Sequence, residues 1–276
     1  MASRVDWPAF IRELALSARE AIAEVLESRP RPVGGREIEK FASRLDEAAI
    51  ERLVGDIKRR GVPCTLLCED LGLVELCGGG PPYLVVDPLD GTTNAARGIP
   101  HASVSLAVSN SSRLDGVYAG VVVDVFSGEL FEAERGRGAL RDGRRIRVSE
   151  VHELERAVIT ADLSRREMEM DWLGKMASRA SAIRHLGSAS LELCYVASGI
   201  VDVHLDLRWM IRPFDIAAGL LIVREAGGEA LVKGRVDPGV ALVPDERLVL
   251  IAAANNELLN AVNDLIGGLD RLSPLP

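Results

Sequence analysis

The stretch Leu84-Val85-Val86-Asp87-Pro88-Leu89-Asp90-Gly91-Thr92-Thr93-Asn94 runs from an apolar segment into two aspartates three residues apart, a glycine and two threonines. The run Tyr83–Val86 has the length and β-branched content of a buried strand. Pro88 fixes the turn and removes a backbone donor. Two carboxylates held at a strand end can share a hard cation, which takes oxygen ligands. Gly91-Thr92-Thr93 can open a helix whose free N–H groups suit a phosphate. The same residues also fit a plain strand-to-helix turn, with Asp90 as cap and Asp87 as turn former.

Companion acids favour the metal reading. Glu69 and Asp70 follow the short apolar run Thr65-Leu66-Leu67. Asp215 opens a helix that begins at Pro213-Phe214. Asp46 is expected at the start of a helix, after the loop Arg29-Pro30-Arg31-Pro32-Val33-Gly34-Gly35. Four segments thus each deliver an acid at an element terminus, where functional residues are mounted on a rigid scaffold.

Around this centre the chain alternates between periods. Asp6 caps a helix with Pro8 in its first turn, and Phe10, Ile11, Leu14, Ala18, Ile22 and Val25 recur at helical spacing up to about Ser28. A second helix is expected from about Arg44 to Arg60. Residues 103–108, 116–125 and 129–134 read as antiparallel strands, with Phe126-Ser127-Gly128-Glu129 as a hairpin turn. Further on come a strand at Ala157–Thr160, helices near 165–179 and at Ser188–Gly199, and a strand at Val201–Leu205. The helix Pro213–Ala226 is stopped by Gly227-Gly228. Leu248–Ala253 is a strand, and Asn255 or Asn256 caps a last helix. The boundary between halves is expected near Ser149–Glu155, giving an N-terminal half (1–150) with the metal-binding motifs and a C-terminal half (151–276) with substrate-recognition residues. The halves are expected to pack as one unit with a site in the crevice between them.

Composition narrows the function. The chain has 276 residues, 47% of them apolar, and a net charge of −8. That balance speaks against nucleic acid, whose binders gain most of their affinity from basic groups on phosphates. The basic run Arg135–Arg147 reads as a solvated hairpin face. No window approaches 18 uninterrupted apolar residues and the N-terminus lacks a signal core, so the expectation is a cytoplasmic protein with no membrane partner. An acidic protein that binds an anion needs a local device such as a metal. Cys64, Cys68, Cys77 and Cys194 lack a second close pair for a zinc site and are read as buried thiols, with a disulfide among the first three as the alternative. Glutamine is absent and lysine occurs only at Lys40, Lys58, Lys175 and Lys233. The scarcity of thermolabile amides fits a thermophile, although high-GC codon usage also favours arginine.

Together these residues resemble the inositol monophosphatase superfamily, and most of all its archaeal bifunctional fructose-1,6-bisphosphatase/inositol-1-monophosphatase members. Asp87 to Asn94 is similar to the family's central metal-binding signature. Gly136-Arg137-Gly138-Ala139, Asp215-Ile216-Ala217-Ala218-Gly219 and Glu225-Ala226-Gly227-Gly228 fall where members carry similar segments. The resemblance implies an α+β fold, a layered α-β-α-β-α sandwich of the sugar phosphatase type. It implies two or three Mg2+ ions per site: Glu69, Asp87 and the Leu89 carbonyl at the first, and Asp87, Asp90 and Asp215 at the second. Glu69 with Asp46 would make a third that orders late with a mobile loop around 29–40. Glu69, Thr92 and Asp46 would be catalytic. Gly91 and Thr92 would meet the phosphate. Arg184, Ser188, Arg208 and Arg212 would contact substrate, with arginine suited to a second phosphate. Asp70 would be a supporting acid or a helix cap, and His101, His152, His185 and His204 are read as structural. The implied reaction is direct attack of water on fructose 1,6-bisphosphate and/or inositol 1-phosphate, by a homodimer. The alternatives are a 3′-phosphoadenosine 5′-phosphate phosphatase and a non-catalytic binding or regulatory protein that kept the fold.

Overall fold

The computed structural model describes residues 5–29, 35–164, 171–236 and 239–272. Helix α1 (Trp7–Leu26) is capped by Asp6, whose side chain accepts from the Ala9 N–H at 3.3 Å. Helix α2 (Gly35–Arg60) follows. Then come β1 (Cys64–Cys68), β2 (Gly72–Leu76), β3 (Tyr83–Asp90), α3 (Thr92–Arg97), β4 (Ser103–Ser109), β5 (Val117–Asp124), β6 (Leu130–Glu134), β7 (Ala139–Arg141) and β8 (Arg144–Arg145). The second part holds β9 (Val158–Ala161), α4 (Asp171–Ala177), β10 (Ala182–Arg184), α5 (Ala189–Ala197), β11 (Val203–Ile211), α6 (Pro213–Glu225), β12 (Glu229–Val232), β13 (Leu248–Ala253) and α7 (Asn256–Leu265).

The strands form two mixed sheets. One has eight strands in the order β2-β1-β3-β4-β5-β6-β7-β8, the other five in the order β10-β9-β11-β13-β12. Period-2 alternation assigns every strand face to a layer. Leu84, Val86, Leu106, Val108, Val121 and Val123 point to α1 and α2, packing with Ile11, Leu14, Ile22, Leu45 and Ile57. Val85, Ala107 and Val122 point the other way, onto α5 and α6. Leu250 and Ala252 of the second sheet meet the same two helices from the opposite side. Val203, Leu205, Val249 and Ile251 face α4 and α7. The layers therefore run α1/α2, sheet, α5/α6, sheet, α4/α7. Helix α6 lies between two sheets and is apolar almost all round, as such a position requires. Its Gly219 lets α5 approach: a Cβ there would sit 2.8 Å from Leu193 Cβ.

Several expectations need correction. Helix α2 begins at Gly35, not near Arg44, because Ile38 and Phe41 carry the buried stripe of Leu45, Ala49, Leu53 and Ile57 back by two more turns. Asp46 is therefore mid-helix. Residues 35–40 of the expected mobile loop are helical, while residues 30–34 lie outside the described residues. The helix near 165–179 is described only as α4, since 165–170 also lie outside. Strand β11 runs on to Ile211. Asp70 caps no helix; it sits in the turn between β1 and β2. The cysteines are free, and Cys77 is exposed rather than buried. Among the described residues no helix is long and apolar enough to cross a membrane.

Candidate active site

Strand β3 carries an irregularity that organises the site. Asp87 pairs with Ser105 of β4 and Asp90 with Ser103, so β3 spends one residue more than its neighbour over this step. In a regular strand, side chains three apart face opposite sides. One inserted residue restores the same side, and both Asp87 and Asp90 line one cavity. Pro88 sits inside this bulge, where a missing donor breaks no ladder bond. The Leu89 N–H donates to Asp87 Oδ1 at 3.1 Å, which fixes that carboxylate. Gly91 then turns the chain with φ +91°. A Cβ there would lie 3.0 Å from the His101 carbonyl oxygen and 3.1 Å from that of Gly187. Glycine is required on both counts.

Three elements bring acids to this point. One carboxylate oxygen each from Glu69, Asp87 and Asp215 lies within 4.8 Å of the other two. Glu69 follows β1, Asp87 lies in β3, and Asp215 is in the first turn of α6, where its Oδ2 accepts the Arg212 N–H at 2.7 Å. Asp90 joins from the bulge; its Oδ2 accepts from Ser188 Oγ at 2.9 Å and from the Ser190 N–H at 2.6 Å. Thr92 Oγ1 lies 2.8 Å from the Leu89 carbonyl oxygen and 3.2 Å from Asp46 Oδ1. Asp46 thus reaches the site from the middle of α2.

The electrostatics are those of a crowded anionic centre. Burial, then the Asp90 and Asp215 charges, push the Asp87 carboxyl well up. Burial pushes Asp215 up to about 7, with Arg212 opposing and Asp90 adding to the rise. Asp46 is pushed up to about 7 by burial and then by Asp70. Asp90 rises to about 6 through burial, against the hydrogen bonds from Ser190 and Ser188. Carboxylates so placed need a cation. Arg212 offers one, with Nη2 2.5 Å from Glu69 Oε1 and Nε 3.6 Å from Asp215 Oδ2. The donor set is otherwise all oxygen, which fits Mg2+ and not a thiolate- or imidazole-seeking metal.

The cavity over these acids measures about 310 Å3. Glu69, Asp87, Leu89, Asp90, Gly91, Thr92, Arg208, Arg212 and Asp215 all line it. Arg184 is not among its lining residues; the side chain is exposed and Nη1 donates to the Ile183 carbonyl at 2.9 Å. Ser188 is buried behind Asp90. Arg208 is at the wall, but its guanidinium is held by Asp206 at 2.5 Å, by Asp162 at 2.7 Å and by Ser164 Oγ at 2.8 Å.

Asp162, Ser164, His185 and Met210 also line the cavity and went unread in the sequence as site residues. Asp162 carried a usable signal: it directly follows β9, as Glu69 directly follows β1. His185 had none; its Nδ1 lies 3.1 Å from the Ala161 carbonyl oxygen and 3.7 Å from Asp162 Oδ1.

Residues 7–265 match the sequence model of the inositol monophosphatase family. The Nus factor SuhB of Pseudomonas aeruginosa is 35% identical over 224 residues, covering 75% of this chain and 81% of that protein. The fructose-1,6-bisphosphatase/inositol-1-monophosphatase of Methanothermobacter thermautotrophicus is 36% identical over 224 residues, covering 78% and 79%. Among solved structures, an IMPase of Thermotoga maritima superposes with a TM-score of 0.74 at 30% identity, over 96% of this chain and 100% of that one. The layered sandwich of two sheets flanked by helices is thus the arrangement the resemblance implied.

Proposed function

The chain belongs to the inositol monophosphatase family, and from that premise we propose that it is a Mg2+-dependent phosphomonoesterase acting on a small polyol or sugar phosphate. The observation that carries this reading is the convergence of Glu69, Asp87 and Asp215 within 4.8 Å, with Asp90 beside them. Glu69, Asp87, Asp90, Asp215 and the Leu89 carbonyl are the groups that would hold the cations, with Asp46 supporting Glu69. Bound there, magnesium would supply Lewis-acid charge against the phosphoryl oxygens and acidify a water. Glu69 and Thr92 orient the attacking water, and Thr92 is itself held by Leu89 and Asp46. Gly91 and Thr92 present backbone N–H groups to the phosphate, and Arg212 adds a fixed positive charge.

Inositol 1-phosphate and fructose 1,6-bisphosphate are the substrates proposed. The carboxylates around Arg208 favour the first. With Asp162 and Asp206 on one guanidinium, that wall carries net negative charge and offers hydroxyl-binding groups rather than a second phosphate seat. Similarity to a protein named a Nus factor favours, as a second reading, a role of that kind beside catalysis. A homodimer is the expected assembly. The test is phosphate release from sugar, inositol and nucleotide phosphates, with magnesium titrated. Magnesium-dependent release from inositol 1-phosphate is expected, and no release from any phosphomonoester at saturating magnesium would sink the reading.

A further inference from the structure

Behind the site lies a buried pair of opposite charge that the chemistry above does not use. Glu192 of α5 and His204 of β11 have side chains 1% and 0% exposed, and His204 Nδ1 sits 2.8 Å from Glu192 Oε2. Thr160 Oγ1 of β9 is 3.0 Å from the same Nδ1. Burial alone would push Glu192 up, but the His204 charge beside it holds it near 2. Burial alone would lower His204, but Glu192 raises it. Each group thus favours the charged form of the other.

Such a pair is a poor way to stabilise a core. Taking both ions out of water is costly, and apolar replacements of similar volume are often neutral or better. Glu192 Oε2 and His204 Nε2 are also buried without an aligned hydrogen-bond partner among the described residues, so the two side chains meet as an ion pair and not through a hydrogen bond. What the pair does maintain is Glu192 as a fixed carboxylate whose other oxygen, Oε1, accepts the Gly187 N–H at 2.8 Å.

Gly187 belongs to a turn that meets the central motif at three successive residues. The Leu186 carbonyl accepts from Asn94 Nδ2 at 2.7 Å. The Gly187 carbonyl oxygen backs onto Gly91, 3.1 Å from where a Cβ would sit. Ser188 Oγ donates to Asp90 Oδ2 at 2.9 Å. The turn is thus hydrogen-bonded to Glu192 on one side and to Asp90 and Asn94 on the other, with Gly91 packed against it.

We propose that Glu192, held by His204, is a positioning residue that fixes the Leu186-Gly187-Ser188 turn and, through Ser188, the direction in which Asp90 points. The proposal rests on the metal reading of Asp90 given above. Supports of this kind typically contribute tenfold to a hundredfold to metal affinity.

The test uses the full chain and two variants: the double replacement Glu192→Met with His204→Phe, and Glu192→Gln alone. The double variant removes the tether while keeping an apolar core of similar volume. The glutamine variant keeps an oxygen for Gly187. Melting of the metal-free proteins and calorimetric titration with Mg2+ and Mn2+ are the readouts. The double variant is expected to melt within a few degrees of the parent yet bind both ions about tenfold to a hundredfold more weakly, and Glu192→Gln to bind within about threefold of the parent. A folded double variant that binds as tightly as the parent overturns the proposal. Should the double variant not fold, hydrogen exchange of the Gly187 amide in the parent decides: strong protection supports the tether, and exchange at the rate of an open loop overturns it. If the parent itself binds neither ion, the functional reading fails, and the Gly187 amide still judges the tether by itself.

Discussion

Arg212 Nη2 lies 2.5 Å from Glu69 Oε1, so the N-cap of α6 delivers a cation to the acid that follows β1. Arg212 is also stacked over the Phe214 ring at 4.4 Å, which holds the guanidinium in place. In the metal-free protein it is the counter-charge that lowers the cost of gathering Glu69, Asp87 and Asp215. Arg212→Ala should destabilise the metal-free protein by about 1–3 kcal/mol, the usual scale for losing a charged hydrogen-bond partner. The rise in Tm on adding magnesium should be larger than in the parent. Thermal melts with chelator and with magnesium check both; an unchanged metal-free Tm would show that Arg212 is no counter-ion.

Asp90→Asn probes the bulge. The Ser190 N–H and Ser188 Oγ both donate to Oδ2, so an asparagine has to turn its carbonyl oxygen to them. Its NH2 group then faces the cation position. Magnesium-dependent turnover should fall by at least the roughly tenfold to hundredfold that loss of a metal-site support brings. Steady-state rates across a magnesium titration measure this. If most of the turnover survives, Asp90 is not a ligand.

The pH dependence of stability should have an unusual sign. Asp46 and Asp215 stand at about 7 and Asp90 at about 6, against about 3.9 for an ordinary aspartate. Between roughly pH 4 and 7 the folded chain therefore binds more protons than the unfolded chain, and stability falls as pH rises through this range. With chelator present, Tm should be higher at pH 5.5 than at pH 8. Magnesium, which favours the charged carboxylates, should raise Tm more at pH 8 than at pH 5.5. His204, whose folded value is also raised, moves the first comparison in the same direction, and His101, which burial lowers, moves it in the opposite one, but magnesium touches neither. The magnesium-dependent part therefore isolates the acids.

Substrate preference should turn on Asp162. It holds Arg208 at 2.7 Å, and its replacement by asparagine weakens that hold while leaving Asp206 in place. Asp162→Asn should raise turnover of fructose 1,6-bisphosphate relative to inositol 1-phosphate by several-fold. Arg208→Ala should reverse the gain when added to Asp162→Asn. Rates on the two substrates that change in parallel in both variants would remove Arg208 from substrate selection.

Most elements are legible in the amino-acid sequence, as are the acids at their ends, while the layered fold and the metal reading of those acids come from the family resemblance. The period-3.6 stripe in α1, the near-continuous apolar surface of α6 and the short apolar runs of β3, β4, β5 and β13 are local patterns, and each keeps its meaning wherever the element packs. Acids placed directly after apolar runs, as at Glu69 and Asp87, are local as well, and Asp162 could have been found by the same rule. The remaining features depend on how separate elements meet. Asp87 and Asp90 share a side because β4 sets the register that forces a bulge in β3, and register is a property of two strands. Asp46 reaches Thr92 from mid-helix because α2 starts earlier and packs beside α3. Arg208, whose charge would suit a phosphate, is instead held by Asp162 just beyond β9 and by Asp206 of its own strand. The pair with Asp162 joins residues 46 positions apart, and the pattern of a single element carries no trace of it.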